Sequence, residues 1–263
     1  MIEGDLGNFK NFERIMRKDF LFSMDLTVET TFWRINDACF KFGVFVVVLV
    51  FSTITVFGNE SSYFKELKEY AERRKLIFFS TPFDAESLGY LESIRVPFYK
   101  VASFDVVNHK FLRLIAGTRK PVMLSVGMSN AGEIRSACRI LSVGTKEVVL
   151  LHCVSAYPTE EKDANLAAIL RLREQFDCVV GQSDHTADIC VPLYAVAAGA
   201  LVLEKHFKLS EGMKCVDAPV SITERQMRDL VRETRRVEAI LGDGKLGMTT
   251  AQKSASIFRR KVV

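Results

Sequence analysis

The chain has 263 residues, of which 48% are hydrophobic and 26% charged, and its formal net charge is +4. This length can bury the core of one large domain, and an α/β barrel of about 250 residues is ordinary. Its charges form no basic stripe interleaved with aromatic residues, which argues against nucleic-acid binding. Six cysteines without CxxC spacing favour reduced thiols in a cytoplasmic protein over disulfides or structural zinc.

The first 58 residues differ in kind from the rest, so we predict a divergent segment over residues 1–58 and an α/β barrel over 59–263. Residues 42–57, with the sequence FGVFVVVLVFSTITVF, carry no charge. This run is shorter than the about 20 residues of a membrane-spanning helix, and most of it is β-branched or aromatic. Two interpretations stay open: one or two buried strands that fill a sheet edge, or a membrane tether.

From residue 76 onward, short apolar runs recur, and each ends in small or polar residues. Six such runs lie roughly 20 to 30 residues apart, which is the length of a βα unit. The runs cover residues 76–79, 97–101, 122–124, 148–151, 179–181 and 200–203. Repeated βα units of one period predict a TIM-type (β/α)8 barrel that is altered or incomplete at its first two units.

A long amphipathic helix is predicted after the last of these strands, over residues 223–241. Its apolar residues recur at helical spacing and form one stripe, and Gly242 stands where a C-terminal cap belongs. The stripe consists of Met227, Leu230, Val231, Val237, Ile240 and Leu241. We expect this stripe to pack against the barrel.

Two polar motifs follow the last two predicted strands. The sequence SDHT occupies 183–186 and EKHF occupies 204–207, and together they contain two of the four histidines. Because α/β barrels place their chemistry at the carboxyl ends of the strands, these motifs mark the predicted active site.

Six motifs in order along the chain make residues 66–263 resemble the N-acetylneuraminate (sialic acid) synthase family, which includes pseudaminic and legionaminic acid synthases. They are FSTPFD at 79–84, YKVAS at 99–103, LSVGM at 124–128, LHCVSAYP at 151–158, GQSDHT at 181–186 and EKHF at 204–207. The resemblance implies a transferase of carbohydrate biosynthesis that condenses phosphoenolpyruvate with an N-acetylated hexosamine of the N-acetylmannosamine type. The products would be a nine-carbon 2-keto sugar acid and phosphate.

The resemblance also implies a divalent metal, commonly manganese with magnesium or cobalt as alternatives, held by His185 and His206. Neutral imidazoles suit a transition metal, and two of them at consecutive strand ends, each beside a carboxylate, favour ligation over packing. Glu204 is then a candidate for proton handling or for supporting the metal ligands. Asp184 either orients His185 or caps the next helix.

The substrate residues are likewise implied by the resemblance. Those matching the phosphoenolpyruvate site are Lys100, Thr81, Ser103, Ser125, Ser155 and Ser183. A trianionic ligand needs one cation and several donors converging from different strands, although Lys100 serves equally well in a salt bridge. Tyr157 and Asp217 match positions facing the sugar and join Glu204 as catalytic candidates, although Tyr157 also suits simple packing.

Two features of the family are not recognisable in this sequence. Residues 1–57 show neither the Gly-x-Asn-His-x-Gly type turn nor the Val-Lys-Phe-Gln type motif, and no antifreeze-like domain follows the barrel. In the family that domain completes the sugar site of a partner in a homodimer. Two alternatives to a working synthase therefore stay open: an impaired remnant or binding protein of the same fold, and an aldolase-type barrel with a Schiff base on Lys100 or Lys205.

Overall fold

A computed structural model describes residues 21–23, 45–49, 61–74 and 76–260. The described strands form one parallel sheet, in the order β3-β1-β2-β8-β7-β6-β5-β4. They are β1 (Leu21–Ser23), β2 (Phe45–Leu49), β3 (Ile77–Phe78), β4 (Tyr99–Val101), β5 (Val122–Ser125), β6 (Val148–His152), β7 (Val179–Asp184) and β8 (Val202–His206). A parallel bridge between Ser80 and Tyr99 links the two ends of this order, as expected of a TIM-type barrel.

A helix follows each strand from β2 to β8, which makes the repeated βα unit explicit. The helices are α1 (Ser61–Arg73), α2 (Ala85–Ser93), α3 (His109–Gly117), α4 (Ala131–Leu141), α5 (Ala167–Gln175), α6 (Cys190–Ala197) and α7 (Glu224–Leu241). Side-chain caps mark the start of several of these helices, as two examples show. Asp84 accepts a hydrogen bond from the Ser87 amide at 2.6 Å, and Asn130 accepts one from the Glu133 amide at 3.1 Å.

Apolar side chains on alternate strand positions form two separate cores. The inner one fills the barrel below its mouth and consists of Phe79, Phe98, Met123, Val149, Leu151 and Val202. The outer one lies between the sheet and the helices and includes Tyr99, Val101, Val122, Leu124, Leu150, Val180 and Leu203. Successive side chains of a strand point to opposite faces of the sheet. A residue two positions from an inner-core residue in the same strand therefore faces the barrel interior, and its direct neighbours face the helices.

The N-terminal strands confirm that the first two βα units are altered. Strand β2, within the uncharged run, pairs with β8 from Phe45 opposite Val202 to Leu49 opposite His206. Strand β1 lies between β2 and β3, so the first two strands are exchanged relative to a barrel whose strands follow one another in chain order. The rest of the run at 42–57 lies outside the described residues, and the boundary at 58 stays a prediction.

No helix within the described residues is both long and apolar enough to span a membrane. The predicted strand interpretation is confirmed for Phe45–Leu49, which the sheet holds in place on both sides. Membrane contact through 42–57 stays a prediction.

The predicted stripe of the last helix is confirmed over its first three turns and wrong at its end. Met227, Leu230 and Val231 are buried against the outer core, and Gly242 follows the helix with a positive φ of 61°. Ile240 and Leu241, however, are 73% and 50% exposed. The last turn of α7 extends past the surface that covers its earlier turns, and a helical period does not show where that surface stops.

Candidate active site

The predicted site residues lie at the carboxyl ends of strands β3 to β8 or in the loops that follow. Strands β7 and β8 extend beyond the predicted apolar runs, since β7 ends at Asp184 and β8 at His206. Ser183 and Glu204 therefore lie within paired strands, opposite each other in register, rather than after them. Strand pairing satisfies the backbone, so polar side chains can occupy the barrel interior wherever they find partners.

Lys100, Ser183 and Glu204 form a buried polar cluster that joins β4, β7 and β8. The Lys100 ammonium lies 3.5 Å from Glu204 Oε1, and the Ser183 hydroxyl donates a hydrogen bond of 2.6 Å to the same oxygen. The Lys100 side chain is 5% exposed and that of Glu204 is 2% exposed. The cluster places one cation and one carboxyl group, both shielded from solvent, above the inner core.

Glu204 has the properties of a proton-handling group. Burial raises the pKa of its carboxyl, and Lys100 and Ser183 oppose that rise. Its second oxygen, Oε2, is buried and has no hydrogen-bond partner within the part of the chain that the structure describes. A ligand that binds next to such a buried carboxyl would change both its charge and its hydrogen bonding, because its pKa is raised and one of its oxygens lacks a partner.

The imidazoles of His185 and His206 lie side by side, with ring centroids 5.4 Å apart. Nδ1 of His185 lies 2.8 Å from the Val154 carbonyl, which only accepts hydrogen bonds, so this nitrogen carries the proton. Nε2 is then an acceptor, and the Tyr157 hydroxyl lies 3.1 Å from it. Nδ1 of His206 is 3.8 Å from Oδ2 of Asp217, so the two predicted metal positions and the two predicted sugar positions lie together.

Burial lowers the pKa of His185 to about 4 and that of His206 to about 3. In the unfolded chain both imidazoles titrate near the ordinary value of about 6.5. Below that pH the unfolded state binds more protons, so the free energy of unfolding falls as pH drops towards 4. We expect the melting temperature of chelator-treated protein to fall by about 5 °C or more between pH 7 and pH 5, measured by calorimetry.

The control for this pH dependence is a His185→Asn, His206→Asn double variant, which should lose most of the decrease. The raised pKa values of Glu204 and Asp217 act in the opposite direction, because a carboxyl protonated in the fold stabilises it as pH falls. Comparison with the double variant isolates the two histidines. An equal decrease in both proteins would show that they do not cause it.

The donor set suits a divalent metal with few protein ligands. Both imidazoles are neutral near pH 7, and the Nε2 lone pair of His185 is available in place of its contact with Tyr157. Among the described residues, no group of three or more His, Cys, Asp and Glu side chains is placed to hold a metal ion. Two histidines would thus leave coordination positions for water or substrate, and the metal stays a prediction.

The predicted phosphate-binding hydroxyls are distributed around the mouth of the barrel. Ser103 and Ser155 hydroxyls lie 3.1 Å apart. Ser125 is buried, and its hydroxyl has no hydrogen-bond partner within the described ranges. Thr81 is half-buried directly after the bridge between Ser80 and β4. A buried hydroxyl without a partner is a donor that a bound anion would use.

Two further residues shape this region although they are not among the predicted site residues. A Cβ atom on Gly127 would lie 2.7 Å from both the Cys153 sulfur and the Ser155 hydroxyl, so only glycine leaves room there. Cys153 is buried, and burial raises the pKa of its thiol. The motifs LSVGM and LHCVSAYP contain both residues, but spacing alone does not show that the two loops touch.

The alternative Schiff-base lysine, Lys205, lies on the other side of the sheet. Strand alternation turns it away from Glu204 and His206 towards the helices, where its side chain is fully buried. Its ammonium donates to Asp184 Oδ2 at 2.6 Å. Asp184 also accepts hydrogen bonds from the amide and hydroxyl of Thr186. This arrangement does not match the interpretation of Asp184 as a simple helix cap. It also does not match the interpretation of Lys205 as a lysine of the active site.

A TIM-type α/β barrel with a buried lysine–glutamate pair and two adjacent imidazoles at its mouth is the class of protein that the fold and the site define. Residues 51–246 match the model of the NeuB family, and the chain belongs to this family. The predicted sialic acid synthase family is thereby confirmed.

Comparison with individual proteins agrees with this assignment. The chain is 42% identical over 202 residues to an uncharacterized protein of Methanocaldococcus jannaschii, covering 76% of this chain and 60% of that protein. It is 36% identical to the N,N'-diacetyllegionaminic acid synthase of Campylobacter jejuni, covering 76% and 61% respectively. The solved N-acetylneuraminic acid (sialic acid) synthetase of Leptospira borgpetersenii superimposes with a TM-score of 0.73 at 38% identity, covering 76% of this chain and 69% of that one.

The chain spans about 60% of the length of the curated relatives named above. The complete activity, with its substrates and partners, therefore belongs to the proposal that follows.

Proposed function

We propose that this barrel condenses phosphoenolpyruvate with an N-acetylated hexosamine of the N-acetylmannosamine type, consuming one water molecule and forming a nine-carbon 2-keto sugar acid and phosphate. The observation that carries the proposal is the buried cluster of Lys100, Ser183 and Glu204 next to the paired imidazoles of His185 and His206. Lys100 and Ser183 suit the binding of an anion. His185 and His206 suit a metal ion that would polarise a substrate carbonyl group.

Lys100 and the surrounding hydroxyls would bind the phosphate and carboxylate of phosphoenolpyruvate. The buried position of Lys100 strengthens charge-assisted hydrogen bonds, and Ser125 offers a hydroxyl that has no hydrogen-bond partner among the described residues. When Lys100 pairs with the bound anion, Glu204 loses its compensating cation, and its raised pKa favours uptake of a proton. Anion binding and protonation of Glu204 would thus be coupled.

His185 and His206 would hold a divalent metal, with Mn²⁺ as the first candidate and Mg²⁺ or Co²⁺ as alternatives. Such a metal acts as a Lewis acid that polarises the sugar aldehyde for attack by the enol carbon. Tyr157 and Asp217 stand beside the two imidazoles and would orient the sugar hydroxyls. The homodimer expected from the family stays a prediction.

The aldolase alternative is less well supported by the geometry. Lys205 is paired with Asp184 on the outer face of β8, and Lys100 is paired with Glu204. A Schiff base needs a neutral amine that reaches the substrate carbonyl. Borohydride treatment with pyruvate would trap such an adduct, and the proposed condensation predicts no increase in protein mass.

The test of the proposed function is calorimetry with phosphoenolpyruvate, with and without Mn²⁺, alongside phosphate release after addition of N-acetylmannosamine. We expect metal-dependent binding that is lost in a His185→Ala, His206→Ala double variant and retained in His109→Ala, an exposed position at the start of helix α3. Chelator-sensitive phosphate release would establish turnover. If phosphoenolpyruvate binds with the same affinity without Mn²⁺ and in the double variant, the proposal is refuted. Metal-dependent binding without phosphate release would favour the remnant alternative.

A further inference from the structure

A fully buried ion pair lies directly behind the two histidines, on the outer face of the sheet. Lys205 stands between Glu204 and His206 in β8, and Asp184 stands between Ser183 and His185 at the end of β7. The two residues are opposite each other in register, and their side chains are 0% and 2% exposed. The proposed chemistry uses neither of them.

Both charged groups are bound to the residues that flank His185. The Lys205 ammonium donates to Asp184 Oδ2 at 2.6 Å and also to the Thr186 carbonyl. Asp184 Oδ2 accepts from the Thr186 amide at 3.2 Å and from the Thr186 hydroxyl at 2.8 Å. Asp184 Oδ1 accepts from Gln182 Nε2 at 3.1 Å. The backbone on either side of His185 is therefore held by one network.

The remaining polar groups of His185 are held from the barrel side. The Thr159 amide donates to the His185 carbonyl at 2.9 Å, and Nδ1 donates to the Val154 carbonyl at 2.8 Å. With the flanking peptides anchored behind it, the ring keeps one orientation and one tautomer, and Nε2 lies 3.1 Å from the Tyr157 hydroxyl. A buried ion pair is a costly way to gain stability alone, since a well-packed apolar pair often serves as well.

From this arrangement we infer that Asp184, Lys205 and Thr186 are positioning residues that present His185 and His206 for metal binding. The inference rests on the proposed function, which assigns the metal to these two histidines. Outer residues that fix ligating imidazoles typically change metal affinity by 10- to 100-fold when mutated. The network sets the spacing of the two histidines because it joins β8, which contains His206, to the end of β7, which His185 directly follows.

The experiment compares Lys205→Met with Lys68→Met, which breaks a partly exposed ion pair to Glu72 of the same 2.6 Å length. Metal-free protein is examined by long-range ¹H–¹⁵N NMR of the imidazoles, and Mn²⁺ affinity is measured by electron paramagnetic resonance. We expect Lys205→Met to weaken Mn²⁺ binding by about 10-fold or more and to replace the single Nδ1–H tautomer of His185 by a mixture. Lys68→Met should leave both unchanged.

Because loss of Lys205 leaves Asp184 unpaired, that variant can also unfold, and Thr186 provides a milder test. Thr186→Val removes the hydroxyl that donates a hydrogen bond to Asp184, whereas Thr186→Ser keeps this donor. We expect about 3- to 10-fold weaker Mn²⁺ binding in Thr186→Val, with recovery in Thr186→Ser. Equal affinity and an unchanged His185 tautomer in Thr186→Val would overturn the inference.

The two proposals fail in different ways. If the His185→Ala, His206→Ala double variant binds Mn²⁺ like the unmodified chain, the proposed metal site fails and this inference fails with it. If that double variant loses Mn²⁺ while folded Lys205→Met and Thr186→Val retain full affinity, the metal site stands and the positioning role is refuted.

Discussion

Lys100→Met is expected to weaken the binding of phosphoenolpyruvate about 100-fold while the barrel stays folded. Lys100 is the buried cation beside Glu204, and hydrogen bonds to charged groups contribute about 1.5 to 3 kcal/mol each. Loss of the ammonium removes this contribution and leaves the anion facing a carboxyl. Glu204 then loses the cation that opposes its raised pKa, so it becomes protonated more readily rather than remaining a buried charge.

Calorimetric titration with phosphoenolpyruvate in the presence of Mn²⁺ measures this effect. The matched control is Lys110→Met, which removes an exposed lysine from helix α3 and should leave affinity unchanged. A Lys100→Met, Glu204→Gln double variant separates the two roles of the lysine, because it has no carboxylate to compensate. If Lys100→Met binds within two-fold of the unmodified chain, the lysine only neutralises Glu204 and takes no part in anion binding.

Gly181→Ala is expected to cause a large loss of stability, about 3 kcal/mol, or a fall of about 10 °C in melting temperature. A Cβ atom at this position in β7 would lie 2.4 Å from the Val202 carbonyl oxygen and 2.7 Å from its Cβ. It would also lie 2.8 Å from Leu151 Cδ2. Two of these three contacts come from β8, which cannot retreat without breaking its pairing.

Gly89→Ala is the control for this substitution. Gly89 lies in helix α2, and nothing is within 4 Å of the Cβ that alanine would add. Alanine in a helix interior is favoured over glycine by roughly 0.5 to 1 kcal/mol, so this variant should be slightly more stable. Chemical denaturation of both variants gives the comparison. A Gly181→Ala protein within 1 kcal/mol of the unmodified chain would show that the barrel relaxes around the methyl group.

The repeated strands were predictable from the sequence because burial on both faces leaves a local signature. Each apolar run from 76–79 to 200–203 overlaps an observed strand, and the interval between runs indicated the barrel. Strand β1, Leu21–Ser23, had no such signature, because its short apolar stretch lies between Asp19 and Asp25 and outside the regular interval of the later runs. The uncharged run was recognised as a candidate strand, but its pairing with β8 depends on contacts more than 150 residues away.

The site shows the same division between local and distant information. Placing Lys100, Glu204, His185 and His206 near strand ends required only the motifs and their order. The motifs did not distinguish Lys100 from Lys205, and the structure puts one at the mouth of the barrel and the other behind the sheet. A shift of one residue in strand register would exchange the two faces, so side-chain direction depends on pairing rather than on residue type.

By itself the sequence determined the family, the βα repeat and the polar residues at each strand end, because these depend on composition and spacing within short segments. The tertiary structure decided which of those residues touch. Glu204 meets Ser183 across 21 residues of sequence, and Lys205 meets Asp184 across the same separation. Such contacts follow from strand register and barrel closure, which arise from the packing of the whole sheet and leave no mark within any single strand.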